Sequence, residues 1–405
     1  MTNEAFATLL TLYMRRIRAS AAGVAAEIGL SREAVNNWRN GTSLPSPKTR
    51  DRLQACARYL RLTEAETNRL FVTAGFEPEF PLQSGAGSEV PFATFIDGLF
   101  ARLGQAVPYP IALLLSQAHW GQPPFRQELL ARARSLYGDG AVLHIQPPYS
   151  VSTASNDYFA AIGRQCGFAG VASDYEFEAA LEDRLIGHGR LFCLVSRFEQ
   201  GTPELRDTLA GILRSLSEMH GGRLHLLLCG GEALADLKYR SGDLSLLNIA
   251  QVSHWPELTL DDLATLAGLR WPNRPFEKAT LALLLELCGG HPALAEEGLQ
   301  WLCENAGRDQ TAQAALRTRL AASARLWQTF LPLAADPAAR ERLHTRLQAE
   351  DLGRARPYLP DAELRRLFWS NLVCVRGEGE AARLHWRCEV VRQAGLQVLE
   401  SCSND

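Results

Sequence analysis

The sequence predicts a multidomain chain: an all-α amino-terminal domain, an α/β domain on a parallel sheet, and a helical remainder carrying a hairpin. Three observations carry this reading. Residues 20–45, SAAGVAAEIGLSREAVNNWRNGTSLP, read as two short helices around a tight turn. Residues 77–91, EPEFPLQSGAGSEVP, have the Pro, Gly and Ser content of a linker. Beyond them, five short apolar runs alternate with helical patterns, as in a parallel sheet covered by helices on both faces. The expected divisions are 1–76, the linker 77–91, an α/β domain over 92–255, a helical lid over 256–308 and a last domain over 309–405. A length of 405 residues suits two or three domains.

In the amino-terminal domain, Phe6, Leu9, Leu10, Tyr13, Met14 and Ile17 fall on one face of a helix over 4–18. Ser20 caps a second helix, Ala21–Ile28, whose Ala22, Ala25 and Ala26 permit close packing. Gly29 supplies the left-handed residue that ends it, and Leu30 plugs the angle to a third helix capped by Ser31. Val35 and Trp38 should face inward. Ser31, Arg32, Glu33, Asn36, Asn37, Arg39 and Asn40 should face outward. Asn can bind adenine through two bonds, Arg can bind guanine or phosphate, and Ser can bind phosphate. The pattern is that of a helix-turn-helix, and it makes double-stranded DNA the expected partner. Helices over 48–60 and 64–74 close the domain.

Ala25, Gly29, Leu30, Ser31, Val35, Trp38, Gly41 and Pro45 follow the order and spacing of the Xre/Cro–cI repressor family, which the first 75 or so residues resemble. The resemblance implies sequence-specific DNA binding. One departure stands out: Ala21 and Ala22 stand where the family usually carries a phosphate-contacting Gln.

The chain as a whole is not a polycation. Its net charge is −3, but residues 1–82 hold 11 Lys and Arg against 8 Asp and Glu, leaving the rest at −6. A mildly basic end on an acidic body suits a DNA-reading module joined to a partner domain. Nine cysteines without a CxxC, several in apolar runs such as LFCLV, read as free thiols of a reducing cytoplasm. Neither a zinc pattern nor an HExxH occurs, so no metal is expected. The amino terminus lacks a basic n-region, and no apolar run reaches membrane-span length.

The expected strands are 111–115, 141–145, 191–195, 224–229 and 248–252. All are short and nearly all apolar, as in strands buried on both faces. The intervening helices are expected over about 124–136, 155–166, 174–188 and 203–220, after a first helix over 92–107. The segment after the first strand stands where a phosphate-cradling P-loop would lie, and GxxxxGK[ST] is absent from it. Only Gly121 fits; Ser116 replaces the first glycine, Gln122 the lysine and Pro123 the hydroxyl residue. After the third strand, Ser196 and Arg197 stand where the two magnesium-binding and water-orienting carboxylates belong, and Glu199 comes two positions late.

LHLLLCGGEALADL, the stretch WPELTLDDLATL and the turn CGGHPAL resemble, in that order, the fourth strand, lid approach and lid turn of AAA+ and STAND ATPases. The resemblance spans roughly 92–305 and implies a P-loop-like α/β domain with a helical lid. A helix over 364–375, a turn over 376–381 and a strand over 383–387 resemble the winged-helix domain that often follows STAND modules. Its arginines, Arg365, Arg366, Arg383 and Arg387, are dispersed, which favours packing over DNA reading.

These residues lead to the expectation of a cytoplasmic, sequence-specific DNA-binding protein, a transcriptional regulator. Its ATPase-like body would lack catalytic residues and serve self-association or binding of a partner or effector. On that reading the chain is not an enzyme and needs no cofactor, ATP and ADP included. Its partners would be duplex DNA and either a second copy or another protein, with no membrane. Two alternatives stand beside it. One is a nucleotide-dependent AAA+/STAND switch that still binds ATP. The other is an adaptor of a mobile-element or phage-defence system.

Overall fold

The computed structural model describes residues 3–17, 19–60, 62, 67, 70, 71, 73, 74, 76, 91–106, 108–120, 125–149, 154–242, 244–305 and 310–403. The chain divides into two compact units, Met1–Gly87 and Ser88–Asp405.

In the first unit, helices run over Asn3–Arg16, Ala21–Ile28, Arg32–Arg39 and Arg50–Tyr59. Ser20 Oγ accepts from Gly23 N at 3.0 Å and Ser31 Oγ from Ala34 N at 3.1 Å, so each of the two short helices starts on a side-chain cap. Gly29 ends the first of them at φ 66°. Arg52 Nη1 then donates to Ile28 O at 3.0 Å, satisfying a carbonyl that the helix end leaves open. Phe6, Leu10, Tyr13, Met14, Val24, Ile28, Val35, Trp38 and Leu53 form the core, with Phe6 and Trp38 edge to face at 6.4 Å.

Ile17 departs from its expected place. The first helix stops at Arg16, which leaves Ile17 exposed. Of the three alanines expected at the helix contact, Ala25 is buried while Ala22 and Ala26 face solvent. Helix 48–60 begins later than expected, because Ser46 N donates to Thr49 Oγ1 and Thr49 Oγ1 donates to Ser46 O, tightening 47–49 into a 3₁₀ turn. Most of the helix expected over 64–74 lies outside the described residues.

The second unit is built on a five-stranded parallel sheet in the order β2-β3-β4-β1-β5, with β1 Ile111–Leu115, β2 Val142–Ile145, β3 Leu191–Ser196, β4 Leu224–Gly230 and β5 Gln251–His254. Alternate residues sort its two faces. Ile111, Leu113, Cys193, Val195, Leu226 and Leu228 pack with helices Ser155–Gln165, Asp174–His188 and Pro203–Met219. Ala112, Leu114, Phe192, Leu194 and Leu227 pack with Ala93–Gln105 and Phe125–Tyr137, and this core runs on into the helices between Leu260 and Glu304 and the carboxyl-terminal helices. The α/β expectation holds: the sheet is parallel and covered by helices on both faces. β1 and β3 are buried throughout, as strands covered on both faces must be.

β5 starts three residues later than expected and is an exposed edge. The start of the expected strand, 248–249, instead ends a short helix over Ser245–Ile249, on which Leu246 and Leu247 are buried. An apolar run of this length serves either element, and packing decides between them.

Beyond the sheet come helices Leu260–Arg270, Lys278–Cys288 and Pro292–Glu304, then Gln310–Ala321, Ala324–Ala334 and Pro337–Gln348. A second sheet, antiparallel in the order β6-β8-β7, uses β6 Asp351–Arg354, β7 Val373–Arg376 and β8 Arg383–Trp386. Helix Ala362–Trp369 precedes β7, and Glu389–Ser403 closes the chain. The helix expected over 364–375 therefore ends six residues early. Asn371 adopts φ 66° there, which breaks the helical path, and Val373–Arg376 pairs with β8 instead.

Candidate ligand cleft

A parallel sheet opens a crevice where adjacent strands send their chains to opposite faces. β1 and β4 are such a pair. After β1 the chain leaves toward helix Phe125–Tyr137, and after β4 it leaves toward the helices of the other face. A cleft of about 360 Å³ lies at their carboxyl ends. The loop after β1 forms one wall (Ser116–Trp120), the segment after β3 another (Ser196, Arg197, Glu199) and the turn after β4 a third (Gly230–Glu232). Arg126 reaches it from helix Phe125–Tyr137, and Trp369 and Ser370 close it from the carboxyl-terminal module.

The structure thus brings Ser116, Ser196, Arg197 and Glu199 to one cavity, although they come from two segments eighty residues apart. Gly121, Gln122 and Pro123 lie outside the described residues. Sequence reading missed Gln117, Arg126, Glu232, Trp255, Trp369 and Ser370. Five of the six lie outside the two loops read for phosphate and magnesium, and no local pattern joins those separate stretches.

The walls are held in place with some strain. Ser116 N donates to Gly230 O at 2.9 Å, which ties the ends of β1 and β4 together. His119 and Arg197 sit at φ 71° and 57°, and Asn371, next to Ser370, at 66°. Non-glycine residues adopt this region at a cost, and they cluster at functional sites. Ser196 is buried and shares a hydrogen bond of 2.8 Å with His144 Nε2. His144 is held neutral-leaning by burial first, then by Arg126 and Arg134. Burial pushes the Glu199 carboxyl up from its ordinary range, against the opposing pull of its own backbone bond and of Arg197. Its Oε2 has no hydrogen-bond partner among the described residues.

The carboxyl-terminal module is stitched to this cleft. Gln117 Nε2 donates to Phe368 O at 2.7 Å and Val373 O at 2.8 Å. Ala118 N donates to Trp369 O at 2.8 Å, and Asn371 Nδ2 to Ala118 O at 2.9 Å. Arg387 is buried beneath them. Its Nε donates to Asn371 O (2.9 Å), Nη1 to Gly289 O (3.1 Å) and to Glu257, and Nη2 to Gln117 Oε1 (2.9 Å) and Glu257 Oε1 (3.2 Å). On the opposite flank Arg365 Nε donates to Glu232 Oε1 at 3.2 Å.

Chemically the cleft suits an anion better than a metal. Arg126 and Arg197 offer guanidinium forks to phosphate oxygens. Magnesium would need ionised carboxylates. Of the two among the described residues that line the cleft, Glu232 is engaged by Arg365, and burial penalises the ionised form of Glu199. Among the described residues no group of three His, Cys, Asp or Glu could hold a metal ion, and no helix is long and apolar enough to cross a membrane.

In the first unit, Ser31, Arg32, Glu33, Arg39 and Asn40 are exposed, and Asn36 and Asn37 are half-buried. Val35 and Trp38 are buried behind them. The Ser31 oxygen is occupied in capping, which leaves its hydroxyl hydrogen to donate outward.

No family profile matches the chain, and no curated protein matches its sequence. Solved structures do. The ORC2 protein of Aeropyrum pernix in ADPNP–ADP complexes is similar at a TM-score of 0.44 and 14% identity, over 79% of this chain and 98% of that one. A Walker-type ATPase of Pyrococcus abyssi is similar at 0.49 and 14%, over 76% and 95%. Cdc6p from Pyrobaculum aerophilum is similar at 0.39 and 14%, over 80% and 97%. The expectation that this chain is not an enzyme is corrected here. It rested on the replaced lysine and carboxylate positions, whereas the similar structures include a Walker-type ATPase and a protein in complexes with ADPNP and ADP.

Proposed function

We propose that this chain is a DNA-docking switch: its first unit binds duplex DNA, and a nucleotide-class anion in the cleft of its AAA+-like body governs what the body does. The observation that carries the reading is the cleft itself, set at the carboxyl ends of β1, β3 and β4 with two guanidiniums in reach and a second module on its rim. A bound nucleotide would supply phosphate oxygens to Arg126 and Arg197 and polar edges to Ser116, Ser196 and Glu199. Arg126 stands in the first turn of helix Phe125–Tyr137, where the helix dipole also favours negative charge.

For the first unit, the support is a short, capped third helix with a polar outer face. Arg32, Asn36, Asn37, Arg39 and Asn40 are residue types that read base edges or phosphates, with Ser31 and Glu33 at the start of the same helix. A regulator of transcription is the role this arrangement suits best, acting as a self-associated assembly, since two heads on half-sites one DNA turn apart bind more tightly than one.

The test uses the full chain. Nucleotide binding is followed by intrinsic fluorescence, because Trp120, Trp255 and Trp369 line the cleft. Turnover is measured in parallel, and retained genomic fragments are sequenced with and without ATP. Binding of ATP that Arg126→Ala together with Arg197→Ala weakens, and DNA retention that changes with ATP, support the reading. If no nucleotide changes the fluorescence and no DNA is retained, the reading is wrong.

A further inference from the structure

Near the start of helix Pro203–Met219, three buried polar atoms have no hydrogen-bond partner among the described residues: the Tyr158 hydroxyl, Gln200 Oε1 and Arg206 Nε. They come from three elements. Tyr158 is 0% exposed and stands on helix Ser155–Gln165, Gln200 follows β3, and Arg206 lies in the early part of helix Pro203–Met219. None of the three lines the cleft, so a ligand held among them is independent of the nucleotide reading.

The fold draws these groups together at Gly201. A Cβ there would lie 3.3 Å from Tyr158 Cε2, the ring carbon beside the one that bears the hydroxyl. The hydroxyl edge of the ring therefore faces the start of helix Pro203–Met219, whose cap, Thr202, is the next residue. Burial raises the Tyr158 pKa and the Arg206 charge pulls against it, so the guanidinium is within electrostatic reach of the hydroxyl.

A buried hydroxyl and a buried guanidinium N–H that lose water without gaining a partner bear their full desolvation cost. The surrounding acids relieve little of it. Asp207 is the one ion-pair partner of Arg206 among the described residues, 3.7 Å from Nε and 58% exposed, a contact of small value in water. Glu204 is fully exposed and already bonded to Thr202 and to its own backbone. Leu205 N is taken by Thr202 Oγ1 at 3.4 Å, so side chains, not free helix N–H groups, are the donors on offer. The helix dipole adds to their preference for negative charge.

We propose that Tyr158, Gln200 and Arg206 form a second ligand site, separate from the cleft, for an oxyanion of the phosphate or carboxylate class. The Tyr158 hydroxyl and Arg206 Nε donate to its oxygens. The Gln200 amide donates a third bond once its oxygen and nitrogen exchange places by a half-turn. The guanidinium supplies the countercharge. A bridging water would satisfy the same three atoms, but it would bring no charge to Arg206.

The full chain is titrated with inorganic phosphate and, separately, with acetate at constant ionic strength, by calorimetry. Saturable binding of phosphate supports a phosphate-class ligand, and binding of acetate alone a carboxylate. Tyr158→Phe deletes only the hydroxyl at constant ring shape, so it should fold, and Arg206→Lys keeps the charge but not the Nε donor. Each should weaken binding at least tenfold. Arg126→Ala, which strips a guanidinium from the cleft, should leave it unchanged. Binding that Arg126→Ala abolishes and Tyr158→Phe spares would put the anion in the cleft and overturn the proposal. If neither probe binds, a water bridges the three atoms and the proposal is wrong. If phosphate or acetate binds as expected while ATP does not bind, this site stands and the nucleotide reading falls.

Discussion

Gln117 and Arg387 lie 270 positions apart in the sequence and meet at 2.9 Å, Arg387 Nη2 donating to Gln117 Oε1. One is at the lip of the first strand and the other follows the last. Their contact makes the cleft wall and the carboxyl-terminal module a single mechanical element, and several outcomes depend on it.

Gly289 packs against that element with no room for a side chain. It sits at φ 56°, and a Cβ there would lie 2.4 Å from Arg387 O and 2.8 Å from Cys388 Cβ. Gly289→Ala should therefore cost the second unit about 2–4 kcal/mol, combining backbone strain with overpacking against main chain. Urea unfolding measures this. A loss below about 0.5 kcal/mol would mean that the turn relaxes freely.

Acid should weaken the second unit before its carboxylates titrate. His225 is buried beside the Tyr137 hydroxyl at 2.8 Å, and burial, then Arg190, lowers it to about 4. His291 is pushed well below its ordinary value by burial and then by Arg387. Unfolded histidines take up protons near pH 6.5 while these two do not, so their contribution is present above about pH 6.5 and is lost as pH falls toward 4. Thermal unfolding at pH 7 and pH 5 should show the second unit less stable at pH 5. His225→Phe should flatten that slope, and an unchanged slope would place the effect elsewhere.

Glu199 carries a burial penalty on its ionised form. Glu199→Gln removes the charge at constant shape, so the unfolding midpoint at pH 7 should match or exceed wild type. Anion affinity should rise, because one like charge leaves the cleft. A lower midpoint would show that the ionised carboxylate is needed structurally.

In the first unit, stability and DNA contact should separate. Ser31→Ala removes a cap and should cost about 1 kcal/mol. Asn36→Ala with Arg39→Ala touches no core residue and should leave the unfolding midpoint in place while weakening DNA retention at least tenfold. Equal retention by the double variant would remove this helix from the DNA contact.

Sequence legibility followed the range of the forces involved. The capped helices of the first unit were readable because a Ser cap and a Gly stop act within four residues. β1, β3 and β4 were readable because burial on both faces demands an unbroken apolar run. The stretches 248–250 and 370–375 were misread, since five or six residues do not distinguish a strand from a helical turn. Gln117, Trp369 and Arg387 were not legible at all: an Arg that reads as one of several scattered surface charges is, once folded, the buried centre of four chain segments.

By itself, then, the sequence determined the elements whose cause is local, and with them the parallel α/β body and the loops that would carry its chemistry. Only the tertiary structure decided which of those loops meet, what closes over them and which charge lies underneath. Those contacts depend on strand order and on partners more than a hundred residues away, and no short-range pattern records them.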